Sequence, residues 1–188
     1  MAREIWLIRH GETEWSLSGA HTGRTDIRLT PHGEEQAEHL RELLAGQHFD
    51  IVLTSPLRRA RRTCELAGYG AEAMVDQNLC EWDYGAYEGR SSEQIRQERP
   101  DWSLFRDGVP AGETLEHVAE RAQAVIERIG ESTGDVALFA HGHILRILAA
   151  CWLQLGPAAG ARFALGTASV SVLGYEHDIR VINRWNQQ

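Results

Sequence analysis

The stretch Ile5-Trp6-Leu7-Ile8-Arg9-His10-Gly11-Glu12 decides the fold of this 188-residue chain. Its four consecutive apolar residues are typical of a strand that is buried on both faces of an α/β sheet. Arg9 and His10 then place a cation and a nucleophilic imidazole where the strand meets a loop. A second apolar run, at 136–139, leads in the same way into Ala140-His141-Gly142. We therefore expect the two histidines to lie at one edge of a sheet.

Strand and helix patterns alternate along the rest of the sequence. Apolar runs at 5–8, 51–53 and 136–139 predict strands, and segments 169–176 and 179–185 predict a C-terminal hairpin. Helices are expected after Thr30-Pro31, Ser55-Pro56, Thr114 and Gly142. This order predicts a three-layer α/β/α sandwich with a mostly parallel central sheet, an antiparallel strand and a small cap over the carboxyl ends of the strands.

The length is that of one domain, so we expect 1–188 to fold as a single unit. The irregular stretch 76–112 is rich in Trp, Tyr and Gly and shows only one short helical pattern, around 92–99. Such a segment within a regular α/β chain is the predicted cap or lid.

Composition narrows the class of function. The net charge of −8 argues against binding to nucleic acid, and the longest apolar stretch, near 147–155, is shorter than the roughly 20 residues that span a bilayer. Met1-Ala2-Arg3-Glu4 does not resemble a signal peptide. Three cysteines, without metal-ligand spacing, are interpreted as reduced thiols. We therefore expect a cytoplasmic protein without a membrane partner.

Polar side chains follow each of the first three predicted strands. Arg9 and His10 follow the first, Ser55 and Arg59 the second, and His141 the third. Ligands of open α/β sheets bind at this edge, so these groups should form a positively charged pocket. All 19 basic residues of the chain are arginines, whose planar guanidinium suits phosphate. No carboxylate or Cys stands at ligand spacing from the His141-Gly142-His143 triplet, so no metal is expected.

Five motifs together resemble the histidine phosphatase superfamily, also called the phosphoglycerate mutase-like family. In chain order they are Arg9-His10-Gly11-Glu12-Thr13, Ser55-Pro56-Leu57-Arg58-Arg59-Ala60, Glu81-Trp82-Asp83-Tyr84-Gly85 with Glu88-Gly89, Gly112-Glu113-Thr114 and Ala140-His141-Gly142. The resemblance implies a phosphatase without metal or cofactor that works through a phosphohistidine. It assigns His10 as nucleophile, Arg9, Arg59 and His141 as the clamp on the phosphoryl oxygens, and Glu81 as the acid.

Within the family, the chain looks most similar to the sedoheptulose-1,7-bisphosphatase branch. The similar segments are 22–26, 81–89, 105–108 and 139–146. The resemblance implies small phosphorylated substrates, especially sugar phosphates and bisphosphates. The candidate substrate-binding residues are Ser16, Thr22, Gly23, Tyr84, His143 and Arg146. Three other carboxylates are interpreted as structural: Glu12 and Glu113 would anchor loops, and Glu88 would belong to a turn that positions the Glu81 loop.

Two other functions stay open. A phosphoglycerate mutase would pass the phosphoryl group to a second hydroxyl, but cofactor-dependent mutases are longer in the region of 76–112 and usually carry Asn where this chain has Ser16. A noncatalytic phospho-ligand binding module would be expected to lack the nucleophile, the clamp or the acid. Trp152, Leu153 or the C-terminal hairpin could also form a homodimer face.

Overall fold

A computed structural model describes residues 3–188, and the expectation about Met1 and Ala2 lies outside that range. Its sheet has six strands in the order β3-β2-β4-β1-β5-β6. The strands are β1 (Ile5–Arg9), β2 (Ile51–Thr54), β3 (Met74–Val75), β4 (Val136–Ala140), β5 (Val170–Glu176) and β6 (Ile179–Gln187). β1 to β4 are mutually parallel, while β5 is antiparallel to both of its neighbours. The predicted mostly parallel sheet with an antiparallel strand is confirmed.

Seven α-helices accompany the sheet. They are α1 (Glu14–Ser18), α2 (Pro31–Leu43), α3 (Arg58–Leu66), α4 (Ser92–Glu98), α5 (Leu104–Asp107), α6 (Leu115–Gly130) and α7 (Gly142–Trp152) within the part of the chain that the structure describes. The predicted starts of α2 and α6 are confirmed, because Thr30 and Thr114 accept hydrogen bonds from the first-turn amides of these helices. Sequence patterns missed α1, α5 and β3, and also the 3-10 turns at Gln77–Leu79, Gly85–Tyr87 and Pro157–Arg162.

The central strand β1 is buried on both faces. Ile5 and Leu7 belong to the core on the side of α6 and α7, whereas Trp6 and Ile8 belong to the core on the side of α2 and α3. Successive side chains of a strand point to opposite faces, so an uninterrupted apolar run is what a sheet covered on both sides requires. The three-layer architecture follows from this pattern.

The strand register brings the candidate residues to one edge. Arg9 pairs with Ala140, and Thr54 pairs with Phe139. The His10 amide therefore donates to the Ala140 carbonyl at 3.0 Å, one residue before His141. Strand ends, loop starts and the first turns of α3 and α7 thus meet at the edge that the sequence indicates.

The structure also bears on the cysteines and on membrane insertion. All three cysteines are free, as predicted. Across residues 3–188, no helix has both the length and the apolar character that a membrane crossing would need.

Candidate active site

His10 is held in one tautomer by its own loop. Its Nδ1 lies 2.7 Å from the Gly11 carbonyl oxygen, which can only accept, so the proton must be on Nδ1. The Nε2 lone pair is therefore free to act as a nucleophile. The ring is 5% exposed and lies 5.1 Å, centroid to centroid, from the ring of His141.

Arg59 and His141 form a buried pair beside this nucleophile. Arg59 Nε donates to His141 Nδ1 at 3.1 Å, so the proton of His141 is on Nε2, which donates to Ser55 Oγ at 2.8 Å. Arg59 also donates to the carbonyl oxygens of Thr22, Gly23 and Thr25. Four of its five N–H groups are thus engaged, and one Nη1 hydrogen has no acceptor among residues 3–188.

The imidazoles of this site are neutral at physiological pH. Burial, reinforced by the charges of Arg59 and Arg9, holds the pKa of His10 well below its usual value. Burial and the nearby Arg59 likewise hold the pKa of His141 well below its usual value. A neutral imidazole keeps the lone pair that nucleophilic attack requires.

The carboxyl group of Glu81 lies at the N-terminus of α7. Its Oε1 accepts from the amides of Trp82 and Ile144, and its Oε2 accepts from the amide of His143 at 2.9 Å. The Glu81 side chain is 6% exposed, and the residue also lines the cavity next to His10. Backbone donors at a helix N-terminus thus fix its position relative to the nucleophile.

Aromatic residues form part of the wall of the same cavity. The Tyr84 hydroxyl lies 2.6 Å from His143 Nδ1, and the ring of His21 lies 4.7 Å from that of Tyr84. Burial lowers the pKa of His21 to about 4 and holds that of His143 well below its usual value, whereas it raises that of Tyr84 well above its usual value. All three side chains are therefore uncharged near pH 7, and the wall can offer hydrogen bonds without a formal charge.

Glu88 shapes the loop that contacts Arg59. Its Oε1 accepts from the amides of Gly23 and Thr25 at 2.9 and 3.0 Å. Glu88 therefore holds the loop 23–25 directly, and not the Glu81 loop that was predicted. The other two carboxylates also anchor loops: Glu12 accepts from the Thr30 hydroxyl, and Glu113 accepts from the Asp83 amide and pairs with Arg121.

A cavity of about 180 Å³ opens between these groups. It brings together eight of the predicted residues: Arg9, His10, Ser16, Thr22, Glu81, Tyr84, His143 and Arg146. Arg59 and His141 are fully buried beside it. Gly23 lies outside this lining and lines a neighbouring cavity instead. Its carbonyl oxygen accepts from Arg59, and its amide donates to Glu88. Direct substrate contact by Gly23 is therefore not supported.

Arg9 and Arg146 supply the cations of the cavity. Arg9 donates through Nη1 to the Leu165 carbonyl, and its buried Nε has no hydrogen-bond partner among residues 3–188. Arg146 donates to the carbonyls of Gly160 and Ala161 and stacks on the ring of Phe105. These contacts fix the charge of Arg146 at the cavity wall.

Five residues of the lining were not predicted as site residues: Gly19, Ala20, His21, Gly142 and Leu165. His21 directly precedes Thr22 of a quoted motif, which was the available signal, whereas the carbonyl of Leu165 gave none. Ser16, which was predicted, lines the cavity, although its hydroxyl is bonded to the Thr13 carbonyl. No group of three or more His, Cys, Asp or Glu side chains within 3–188 is arranged to hold a metal ion.

This chain is similar to one family of known proteins and to two phosphatases. Residues 5–188 match the sequence model of the histidine phosphatase superfamily, branch 1. A Mycobacterium tuberculosis protein named acid phosphatase is 44% identical over 180 residues, which cover 94% of this chain and 88% of that protein. The sedoheptulose 1,7-bisphosphatase of Saccharomyces cerevisiae is 38% identical over 183 residues, with 80% of this chain and 67% of that protein covered.

This chain is also similar to a solved structure and to a probable mutase. The solved structure of an open reading frame product of Mycobacterium tuberculosis superposes with a TM-score of 0.94 at 42% identity, covering 99% of this chain and 98% of that chain. A probable phosphoglycerate mutase of Klebsiella pneumoniae is 30% identical over 192 residues, covering 97% of this chain and 89% of that protein.

Proposed function

The chain belongs to the histidine phosphatase superfamily and is a phosphoric monoester hydrolase, and on that premise we propose that it hydrolyses small phosphorylated metabolites, above all sugar phosphates and bisphosphates, through a phosphohistidine at His10. The observation that carries the proposal is the hydrogen bond from His10 Nδ1 to the Gly11 carbonyl. It leaves the Nε2 lone pair free beside a cavity whose wall contains Arg9.

The reaction would have two steps. His10 Nε2 attacks phosphorus while the bond from phosphorus to the leaving oxygen breaks, and protonated Glu81 gives that oxygen its proton. Water then attacks phosphorus, the Glu81 carboxylate takes the proton of that water, and the bond from phosphorus to Nε2 breaks. No metal ion is needed in either step.

The clamp would be shared among three groups. The buried and unpartnered Nε of Arg9 offers a direct donor, while Arg59 contributes positive charge and its remaining Nη1 hydrogen. His141 contributes an Nε2 hydrogen, which it now donates to Ser55. Charge spreads over the phosphoryl oxygens in the transition state, so each such donor is worth about 2–4 kcal/mol of barrier.

The cavity supports a small polar substrate. Hydroxyl and imidazole groups of Ser16, Thr22, Tyr84 and His143 surround it, and these suit the hydroxyls of a sugar. Arg146 adds a second positive charge to the same cavity, which a bisphosphate could use.

Trapping of the phosphoenzyme tests the mechanism. Brief reaction with a ³²P-labelled sugar phosphate in EDTA should label the wild type and leave His10→Ala unlabelled. Loss of wild-type turnover in EDTA would contradict the metal-free mechanism.

A panel of sugar phosphates, sugar bisphosphates and phosphoglycerates tests the substrate class. Release of inorganic phosphate from the sugars supports the proposal, whereas transfer between the hydroxyls of phosphoglycerate without phosphate release would establish a mutase. Binding of these ligands without labelling or turnover would indicate a noncatalytic module.

A further inference from the structure

Thr63 is a buried polar residue that the reaction scheme does not use. It lies on α3, four residues after Arg59, and is 0% exposed. Its Oγ1 lies 2.7 Å from the Arg59 carbonyl oxygen and 3.0 Å from the Gly11 amide nitrogen. The carbonyl can only accept and the amide can only donate, so the single hydroxyl proton is directed to Arg59 and a lone pair is directed to Gly11.

Gly11 in turn fixes the nucleophile. Its amide is anchored by Thr63, and its carbonyl accepts the Nδ1 proton of His10. Gly11 is also anchored by close packing against α2. A Cβ added to Gly11 would lie only 2.2 Å from the carbonyl oxygen of Gly33 on that helix. Without the hydroxyl of Thr63, one of these two anchors is lost and a buried amide has no acceptor.

We propose that Thr63 is a positioning residue that sets the tautomer of His10 and fixes the nucleophile loop relative to the helix that carries Arg59. One hydroxyl bonds both segments, so it determines how far the nucleophile lies from the clamp. This inference rests on the proposed function for its effect on turnover, whereas the effect on the tautomer is independent of any substrate.

Thr63→Val is the decisive variant, because it keeps the branched shape and removes both hydrogen bonds. We expect kcat to fall about 10- to 100-fold with little change in KM, since misplacement of a reacting group by about 1 Å has effects of that size. Thr63→Ser keeps the hydroxyl and should recover most of the rate. Thr54→Val is the matched control, because Thr54 is also buried and donates to a backbone carbonyl, in this case that of Ser55.

Two-bond ¹H–¹⁵N NMR correlations of the His10 ring give the readout that a merely structural role would not change. The wild type, Thr63→Ser and Thr54→Val should show the proton on Nδ1, and Thr63→Val should show a mixture of both tautomers. Thr63→Val with an unchanged tautomer and a rate equal to that of Thr54→Val would overturn the inference.

The wild-type spectrum keeps the inference testable even where Thr63→Val does not fold, because an Nε2–H tautomer of His10 in the wild type would itself overturn it. If no phosphorylated compound of the panel is hydrolysed, the proposed function fails, while a tautomer shift in Thr63→Val would still establish the positioning role.

Discussion

The pKa of His21, which burial lowers to about 4, makes folding stability depend on pH. The unfolded chain binds a proton at His21 near the usual pKa of about 6.5, whereas the folded chain does not bind it until pH 4, so stability falls as the pH decreases through this window. Between pH 7 and pH 5, this single group should remove about 2 kcal/mol from the free energy of unfolding. Burial also lowers the pKa values of His10, His141 and His143, and these groups act in the same direction.

Substitution of His21 by Phe isolates this contribution. Phe retains ring contacts with Tyr84 and Trp102 but cannot titrate. Urea unfolding, followed by tryptophan fluorescence at pH 7 and pH 5, should show a pH-dependent loss about 2 kcal/mol smaller in His21→Phe than in the wild type. His39→Phe, at a side chain that is 60% exposed, is the control and should follow the wild type. Equal losses in His21→Phe and the wild type would refute the reasoning.

Two further predictions concern the stability of loops near the site. Gly33→Ala should lower the free energy of unfolding by about 1–3 kcal/mol or more, because the new Cβ would lie 2.1 Å from the Glu12 carbonyl oxygen. Urea unfolding measures this change. Gly130→Ala is the control, because its Cβ would meet no atom within 4 Å, and it should be neutral or slightly stabilising. Glu88→Gln should lower it by about 1.5–3 kcal/mol through weaker bonds to the loop amides, including that of Gly23, and an unchanged urea midpoint would contradict this role.

The fold was largely predictable because its signals are local. An apolar run such as 5–8 specifies a buried strand, and Thr30 with Pro31 specifies a helix start. The helix α1 was missed because it has no buried face and depends on a capping box between Thr13 and Ser16.

The candidate site was predictable only in part. Strand-end residues such as His10 and His141 could be placed because parallel strands end at one edge of the sheet. His21 was missed because only its position before Thr22 pointed to it, while its surroundings come from Tyr84 and Trp102, far along the chain. The outcome for Gly23 was equally hidden, since hydrogen bonds from distant side chains decide which way its backbone groups face.

The central position of β1 has a consequence for biosynthesis. The strand at the start of the chain pairs with β4 and β5, which lie in its last third. Translation at roughly 5–20 residues per second leaves β1 without its neighbours for on the order of ten seconds after it leaves the ribosome. The nascent chain therefore carries an apolar, aggregation-prone strand until β4 and β5 have been synthesised, and the nucleophile loop cannot acquire its native geometry before then.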